Sequence, residues 1–419
     1  MLAVRLTQNR MIQAICVCFA ASLFFAYELM QLHMLNAITP MLMTDLQFSA
    51  TDLGILGSTY ILADVLFLLP AGIILDRFSV RKVVLVALGL CVIGTVGFAY
   101  ANTLWQACVC HFFSGIGNAF CFLSCMMLCS RWFPARSHAL VMGLMLTMGL
   151  LGGVIAQTPF SLLAQAFTWR EALLIDALIG LVVFMLIFLF VVDARAQDEI
   201  KVGAVSFFKG IKLSIMNGQN IACGIYTGMM NLPIMLLGAM WGSLFLIQVH
   251  GMTLIEASFV TSMVCMGTIV GSPLVGYISD KMTKRKPAMI AGALTSLAIF
   301  ALIAGAKESD PLLFAFLFFC MGAATSTQVL GYPLIAENNP PALTGTSMGI
   351  AGMIIMGSAL ILQPISGMLI DYGWEGQNVE GIRFYTRADF MRAFMIFPIG
   401  FVISFLLTYR IKEKSKVRC

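Results

Sequence analysis

The sequence predicts an all-α integral membrane protein of twelve transmembrane helices, arranged as two related six-helix halves. Three observations carry that prediction: a composition too apolar for water, basic residues crowded onto alternate loops, and a loop motif that recurs half a chain length later.

Sixty per cent of the 419 residues are hydrophobic, only 11% are charged, and the mean hydropathy is +0.94. A soluble domain carries about 25% charged residues, so this chain lacks the polar surface that water requires. A hydrocarbon core of ~30 Å takes about 20 apolar residues of helix. Stretches of that kind fall at 11–38, 52–75, 83–101, 104–130, 139–165 and 171–192, then at 220–248, 255–278, 287–305, 311–336, 345–371 and 389–410. The one extended polar stretch lies between the two sets. It divides the chain into a first half at 1–192, a linker at 193–218 and a second half at 219–419. The apolar run that follows Arg5 and Arg10 is too long for the core of a signal peptide and has no small-residue cleavage site, so it is expected to be the first span.

Lys and Arg are distributed on alternate loops in the ratio 20 to 5. The richer side holds Arg77, Arg81 and Lys82, then Arg131 and Arg136, the linker, Lys281 to Lys286, and both chain ends. Positive charge stays on the cytoplasmic side, so both termini are expected there, in a cell inner membrane. The net charge of +5 therefore speaks of membrane topology and not of nucleic acid. The cysteines lie mostly within apolar stretches and read as small packing residues. Cys108 and Cys110 have no second cluster with which to form a metal site. Glycine-rich stretches at Gly115/Gly117, Gly149/Gly152/Gly153 and Gly345/Gly349/Gly352 suit close helix packing, and none follows a strand as a nucleotide loop would. No metal, no cofactor and no enzymatic activity are expected, and the chain reads as a monomer.

The duplicated motif is the most specific signal. Gly72-Ile-Ile-Leu-Asp76-Arg77-Phe-Ser-Val-Arg81-Lys82 recurs as Gly276-Tyr-Ile-Ser-Asp280-Lys281-Met-Thr-Lys-Arg285-Lys286, every matching position displaced by 204 residues. Glycine lets a second helix approach, the acid can face a helix N-terminus or a cation, and the basic residues suit anionic headgroups. The motif resembles the signature of the major facilitator superfamily between helices 2 and 3, repeated between helices 8 and 9. Arg131-Trp132-Phe133-Pro134 and Trp169-Arg170 are similar to further patterns of that family. The resemblance covers essentially the whole chain. It implies two halves that rock about a central site, with a cytoplasmic gate at Gly72, Asp76, Arg77, Arg81 and Arg131 and a second copy at Gly276, Asp280, Lys281 and Arg285. It also implies that Arg131 pairs with Asp76. Two departures weaken a drug-exporter reading: the helix-4 stretch begins with His111 instead of arginine, and the helix-5 stretch Gly149-Leu-Leu-Gly152-Gly153 lacks the antiporter proline.

An ionisable group in the bilayer core costs about 2.5–3.5 kcal/mol or more, so it marks function by default. Glu28, Asp64 and His111 are the main candidates, with His33 near one end of span 1 and Asp176 just inside span 6. Glu28 and His111 are expected at similar depth, roughly 6–8 Å to the outer side, where a Glu–His pair would titrate near neutral pH. The 204-residue offset maps Glu28, Asp64 and His111 onto Leu232, Thr268 and Ala315. Ionisable chemistry is thus confined to the first half, where Asn118 accompanies it. The second half offers neutral Asn231, Trp241, Gln328, Tyr332 and Gln363. Pro159, Pro233, Pro333 and Pro364 mark possible helix breaks.

No Lys or Arg falls deep in a span, which disfavours a substrate rich in carboxylate or phosphate. The expectation is a secondary transporter, by alternating access, of a small neutral or zwitterionic nutrient such as an amino acid or peptide, taken up with protons. The stretches Tyr332–Asn338 and Arg383–Thr386 resemble nutrient carriers of intracellular bacteria. The alternative is proton-driven export of a drug or siderophore. A non-transporting sensor on the same scaffold is a third reading.

Overall fold

The computed structural model describes residues 2–134, 137–192, 207–282, 284–307, 309–340, 343–379 and 382–413; the side chains of 2–10, 76, 139 and 207–209 lie outside that description. Among the described residues, twelve helical segments are long and apolar enough to cross a membrane. They are Met11–Asp45, Ala50–Leu75, Val80–Ala99, Leu104–Trp132, Leu140–Ala166, Trp169–Phe190, Gly218–His250, Leu254–Met282, Lys286–Gly305, Pro311–Glu337, Thr344–Asp371 and Arg387–Arg410, here spans 1 to 12.

Local chemistry sets several boundaries. Thr168 and Glu171 form a reciprocal capping box at the start of span 6, and Thr386 and Asp389 form another at span 12; each satisfies two otherwise orphaned backbone donors. Ser79 caps span 3 by accepting from the Lys82 amide at 3.2 Å. Span 1 exceeds its predicted end by seven residues, because Pro40 is carried within the helix. The helix reaches Asp45, and its 35 apolar-span residues measure about 52 Å at 1.5 Å each. Ten residues assigned to the linker, Phe207–Met216, form a helix of their own; 193–206 lie outside the described residues.

Proline breaks three of the four spans expected. Span 5 stops at Ile155 and resumes at Thr158, next to Pro159. Span 7 passes into a π-helix over Pro233–Trp241. Span 10 tightens to a 3-10 turn over Ser326–Leu330, just before Pro333. Pro364, in contrast, sits inside the continuous helix Thr344–Asp371. A membrane helix tolerates a proline when its neighbours re-satisfy the freed backbone group.

The chain forms two compact units, which do not coincide with the two sequence halves. The first comprises 1–34 and 62–200; the second comprises 35–61 and 201–419. The far end of span 1 and the near end of span 2 thus belong with the second set of six spans. Within the first unit, glycine permits the close packing expected for span 5: a side chain on Gly152 would meet the Ala26 carbonyl at 1.9 Å, and one on Gly149 would meet the Phe25 ring at 2.7 Å. At Gly345 a side chain would meet nothing among the described residues within 4 Å.

Candidate functional site

Span 1 places Tyr27, Glu28 and Gln31 within one helical turn, and all three are buried in the first unit. The Glu28 carboxylate lies against span 4 at Gly117, where an added Cβ would stand 2.0 Å from Oε1. Only a residue without a side chain leaves room for it. Glu28 also shares a hydrogen bond with Cys91 of span 3. One turn on, Gln31 donates to Asp176 of span 6 and accepts from the Thr95 hydroxyl at 3.0 Å. Thr95 in turn bonds the Cys91 carbonyl at 3.0 Å. Glycine recurs beside Tyr27, where a Cβ on Gly180 would lie 2.5 Å from the phenol oxygen. Spans 1, 3 and 6 are therefore joined by one polar chain, Glu28–Cys91–Thr95–Gln31–Asp176, in a region where the alternative is a polar group in hydrocarbon.

His111 does not share the Glu28 position. Its ring packs on Phe98, centroids 5.6 Å apart, and Phe98 packs on Trp169 at 6.1 Å. The residue of span 4 that faces Glu28 is Gly117, six positions on, about 9 Å along the axis and about 120° around it. The Glu28 carboxylate thus lies against a glycine and the His111 imidazole in an aromatic pocket. Asp64, 3% exposed, bonds Asn118 across spans 2 and 4.

In the second unit the neutral candidates divide. Trp241, at the end of the π-helix, donates its indole N–H to Ser366 at 2.7 Å. Gln363 donates to the Met235 carbonyl at 3.3 Å, and its own backbone carbonyl would lie 2.8 Å from a Cβ on Gly54. These two residues pin span 7 to span 11 and let span 2 cross closely. Asn231 and Gln328 are buried, and the Gln328 carbonyl accepts from Thr227 at 3.1 Å. Tyr332 is 38% exposed.

Two polar clusters at the ends of the second unit escaped sequence reasoning. At the end remote from the C-terminus, the loop between spans 11 and 12 folds into a short hairpin, β1 (Asn378–Val379) with β2 (Ile382–Arg383). Asp371 accepts from the Thr51 amide at 2.7 Å and from the Thr51 and Tyr385 hydroxyls. Arg383 approaches the same carboxylate at 3.6 Å. Tyr385 also accepts from the Ala50 amide at 3.1 Å. Burial, with Asp371 beside it, holds the Tyr385 phenol well above its ordinary pKa. Nearby, Asn36 donates to Ser243 at 2.8 Å and to Thr261 at 3.3 Å. The corner between spans 1 and 2 is thereby bound to spans 7, 8 and 11. A carboxylate at a helix end facing a hairpin loop was the available signal, and it reads in sequence as an ordinary span terminus.

At the other end, Arg285 of the second copy of the repeated motif binds Glu337 at 2.8 Å and approaches Asp280 at 3.9 Å. Its backbone amide donates to Glu413. The chain end is held further by Asn338 to the Lys412 carbonyl at 3.0 Å and by the Lys412 amide to Gln219 at 2.6 Å. In the first copy, Arg81 donates to the Phe188 carbonyl and stacks on that ring at 4.8 Å. Arg77 is exposed and Arg131 half-buried. The Asp76 side chain lies outside the described residues, so its pairing with Arg131 is not placed. Lys281 is exposed. Side chains at Gly72 and Gly276 would meet no atom of the described residues within 4 Å.

Twelve apolar spans threaded by buried polar links define a polytopic helical membrane protein. The pattern of the Major Facilitator Superfamily matches residues 14–363 and again 223–418. The chain belongs to that superfamily, and it is a transporter of small solutes rather than an enzyme. It is 22% identical over 262 residues to a hexuronate transporter of Bacillus subtilis, covering 60% of this chain and 61% of the relative. It is 23% identical to the 4-hydroxybenzoate transporter of Acinetobacter baylyi, covering 80% of each. A membrane sensor protein of Salmonella typhimurium is 22% identical over 81% of this chain and 82% of the relative. Among solved structures, a bacterial homologue of the human lysosomal transporter Spinster, in an inward-facing and unoccupied conformation, superposes with a TM-score of 0.77 at 17% identity, over 95% of this chain and 98% of that one. A D-xylose–proton symporter does so with 0.77 at 16%, over 96% and 98%.

Proposed function

We propose that this protein takes up a small neutral or zwitterionic nutrient, of amino-acid or peptide type, together with protons across an inner membrane, with both termini cytoplasmic. The observation that carries this reading is the placement of charge. Glu28, Asp64 and Asp176 are each 3% exposed or less, and no Lys or Arg is among the buried described residues. Carboxylates buried where no described Lys or Arg is buried favour a site that accepts protons and disfavour a fixed anion as substrate. Glu28 is the proposed coupling group, since the close fit at Gly117 ties its position to spans 3 and 4.

A second reading is favoured by the relatives. Transporters of hexuronate, 4-hydroxybenzoate and gallate carry carboxylated solutes, which protons taken up by the same carboxylates could accompany. Thermal-shift measurements against amino acids, dipeptides, nucleosides and small hydroxy- or aromatic acids at two pH values separate the two, because a ligand raises stability by mass action. Stabilisation by aromatic or sugar acids alone would replace the first reading with the second. In proteoliposomes loaded with the stabilising solute, Glu28→Gln should abolish accumulation driven by a pH gradient and preserve counterflow. Full coupled accumulation in that variant would remove Glu28 from the mechanism.

A further inference from the structure

We propose that the crevice between spans 2, 3 and 4 holds one acyl chain of an anionic phospholipid, whose phosphate sits at Lys82. The crevice has a volume of about 350 Å³ and its described lining is apolar except for Lys82. Its floor is made by Ala87, Ile116 and Phe120, all buried; its rim is made by Phe78 and Val86, which are 63% and 64% exposed. A gap lined by such groups forfeits dispersion contacts unless something apolar fills it, and in a bilayer the available filler is a lipid tail.

The dimensions and the charge identify the lipid. Lys82 is the third residue of span 3, which begins at Val80, and Leu90 closes the crevice eight residues further on. Eight residues of helix are about 12 Å, close to the ~15 Å depth of one leaflet's hydrocarbon. The crevice therefore runs from headgroup level to near the bilayer centre, the path of an acyl chain lying along the membrane normal. The cation stands at the headgroup end, with exposed Arg77 at the end of span 2 on the same loop. A phosphate bearing net negative charge complements that end better than a zwitterionic headgroup does.

The test is native mass spectrometry of the purified full chain exchanged with phosphatidylglycerol or with phosphatidylcholine of identical chains. The wild type should retain one phosphatidylglycerol about fivefold more than phosphatidylcholine, the preference expected for one lysine at the surface. Lys82→Gln should reduce that preference to parity. Val86→Trp, which fills the rim, should lower occupancy by both lipids. Lys284→Gln, in the corresponding loop of the second unit, should change neither. Equal retention of the two lipids by the wild type would overturn the proposal. So would an effect of Lys284→Gln equal to that of Lys82→Gln, or undiminished lipid binding in Val86→Trp.

Discussion

Replacing Gly117 by alanine tests the Glu28 site without touching its charge. The new methyl would lie 2.0 Å from Oε1, 2.6 Å from Cδ and 3.0 Å from Oε2 of Glu28. Ordinary contact begins near 3.4 Å, so the carboxylate must retreat by about 1.4 Å or the helices must part. Overpacking of this kind costs about 1–3 kcal/mol. Shortening the acid by one methylene, in Glu28→Asp, should make room. The double variant Gly117→Ala/Glu28→Asp is then expected to be more stable than the sum of the single variants predicts, with a coupling of about 0.5–3 kcal/mol. Unfolding midpoints in a fixed detergent measure the cycle, and pH-driven uptake by Gly117→Ala, expected to fall with counterflow retained, measures the function. An additive cycle, or an unchanged midpoint in Gly117→Ala, would refute the close fit on which the site rests.

Removing Asp371 should release the corner at residues 49–52, since its carboxylate accepts from Thr51 and Tyr385 and faces Arg383. Hydrogen bonds to a charged group are worth about 1.5–3 kcal/mol, so a cysteine placed at Ser49 should label about 10–100-fold faster in Asp371→Ala; equal labelling rates would contradict the latch. Gln31→Leu strips Asp176 of its donor and leaves the Thr95 hydroxyl only the Cys91 carbonyl as acceptor, and should cost about 1–3 kcal/mol. Asp176→Asn, which can still accept from Gln31, should lie within about 0.5 kcal/mol of wild type by the same unfolding assay. Among the residues of the repeated motif, Asp280→Asn should barely move the midpoint, because Asp280 is 68% exposed and 3.9 Å from Arg285. Arg285→Gln should lower the midpoint measurably through loss of the 2.8 Å contact to Glu337; the reverse order would show that the motif acid, and not Glu337, anchors the arginine.

The spans were legible because the bilayer reads hydropathy summed over twenty residues, and single substitutions barely alter that sum. The repeat was legible because loops retain charge in register. The buried links were not. Gln31, Asn36 and Thr95 are neutral residues that a hydropathy window absorbs, and their partners lie 64 to 225 residues away in the chain. Depth along a helix could be counted only as well as the span ends were known and azimuth not at all, and both separate His111 from Gly117, the residue of span 4 that faces Glu28. The fate of each proline depended likewise on its neighbours. Pro233 begins a π-helix, whereas Pro364 is accommodated in an unbroken helix that packs closely on Gly54.

Residues 35–61 are contributed by the first six spans and housed among the last six. They are held by Asn36 on Ser243 and Thr261, by Thr51 on Asp371, and by Gly367, where a Cβ would meet the Ala50 carbonyl at 2.3 Å. Covalent continuity between the halves is then redundant with a non-covalent graft. Two separately encoded fragments, divided within 193–206, carry a built-in means of finding one another: the first brings a helical hairpin tip that the second has the polar groups to receive.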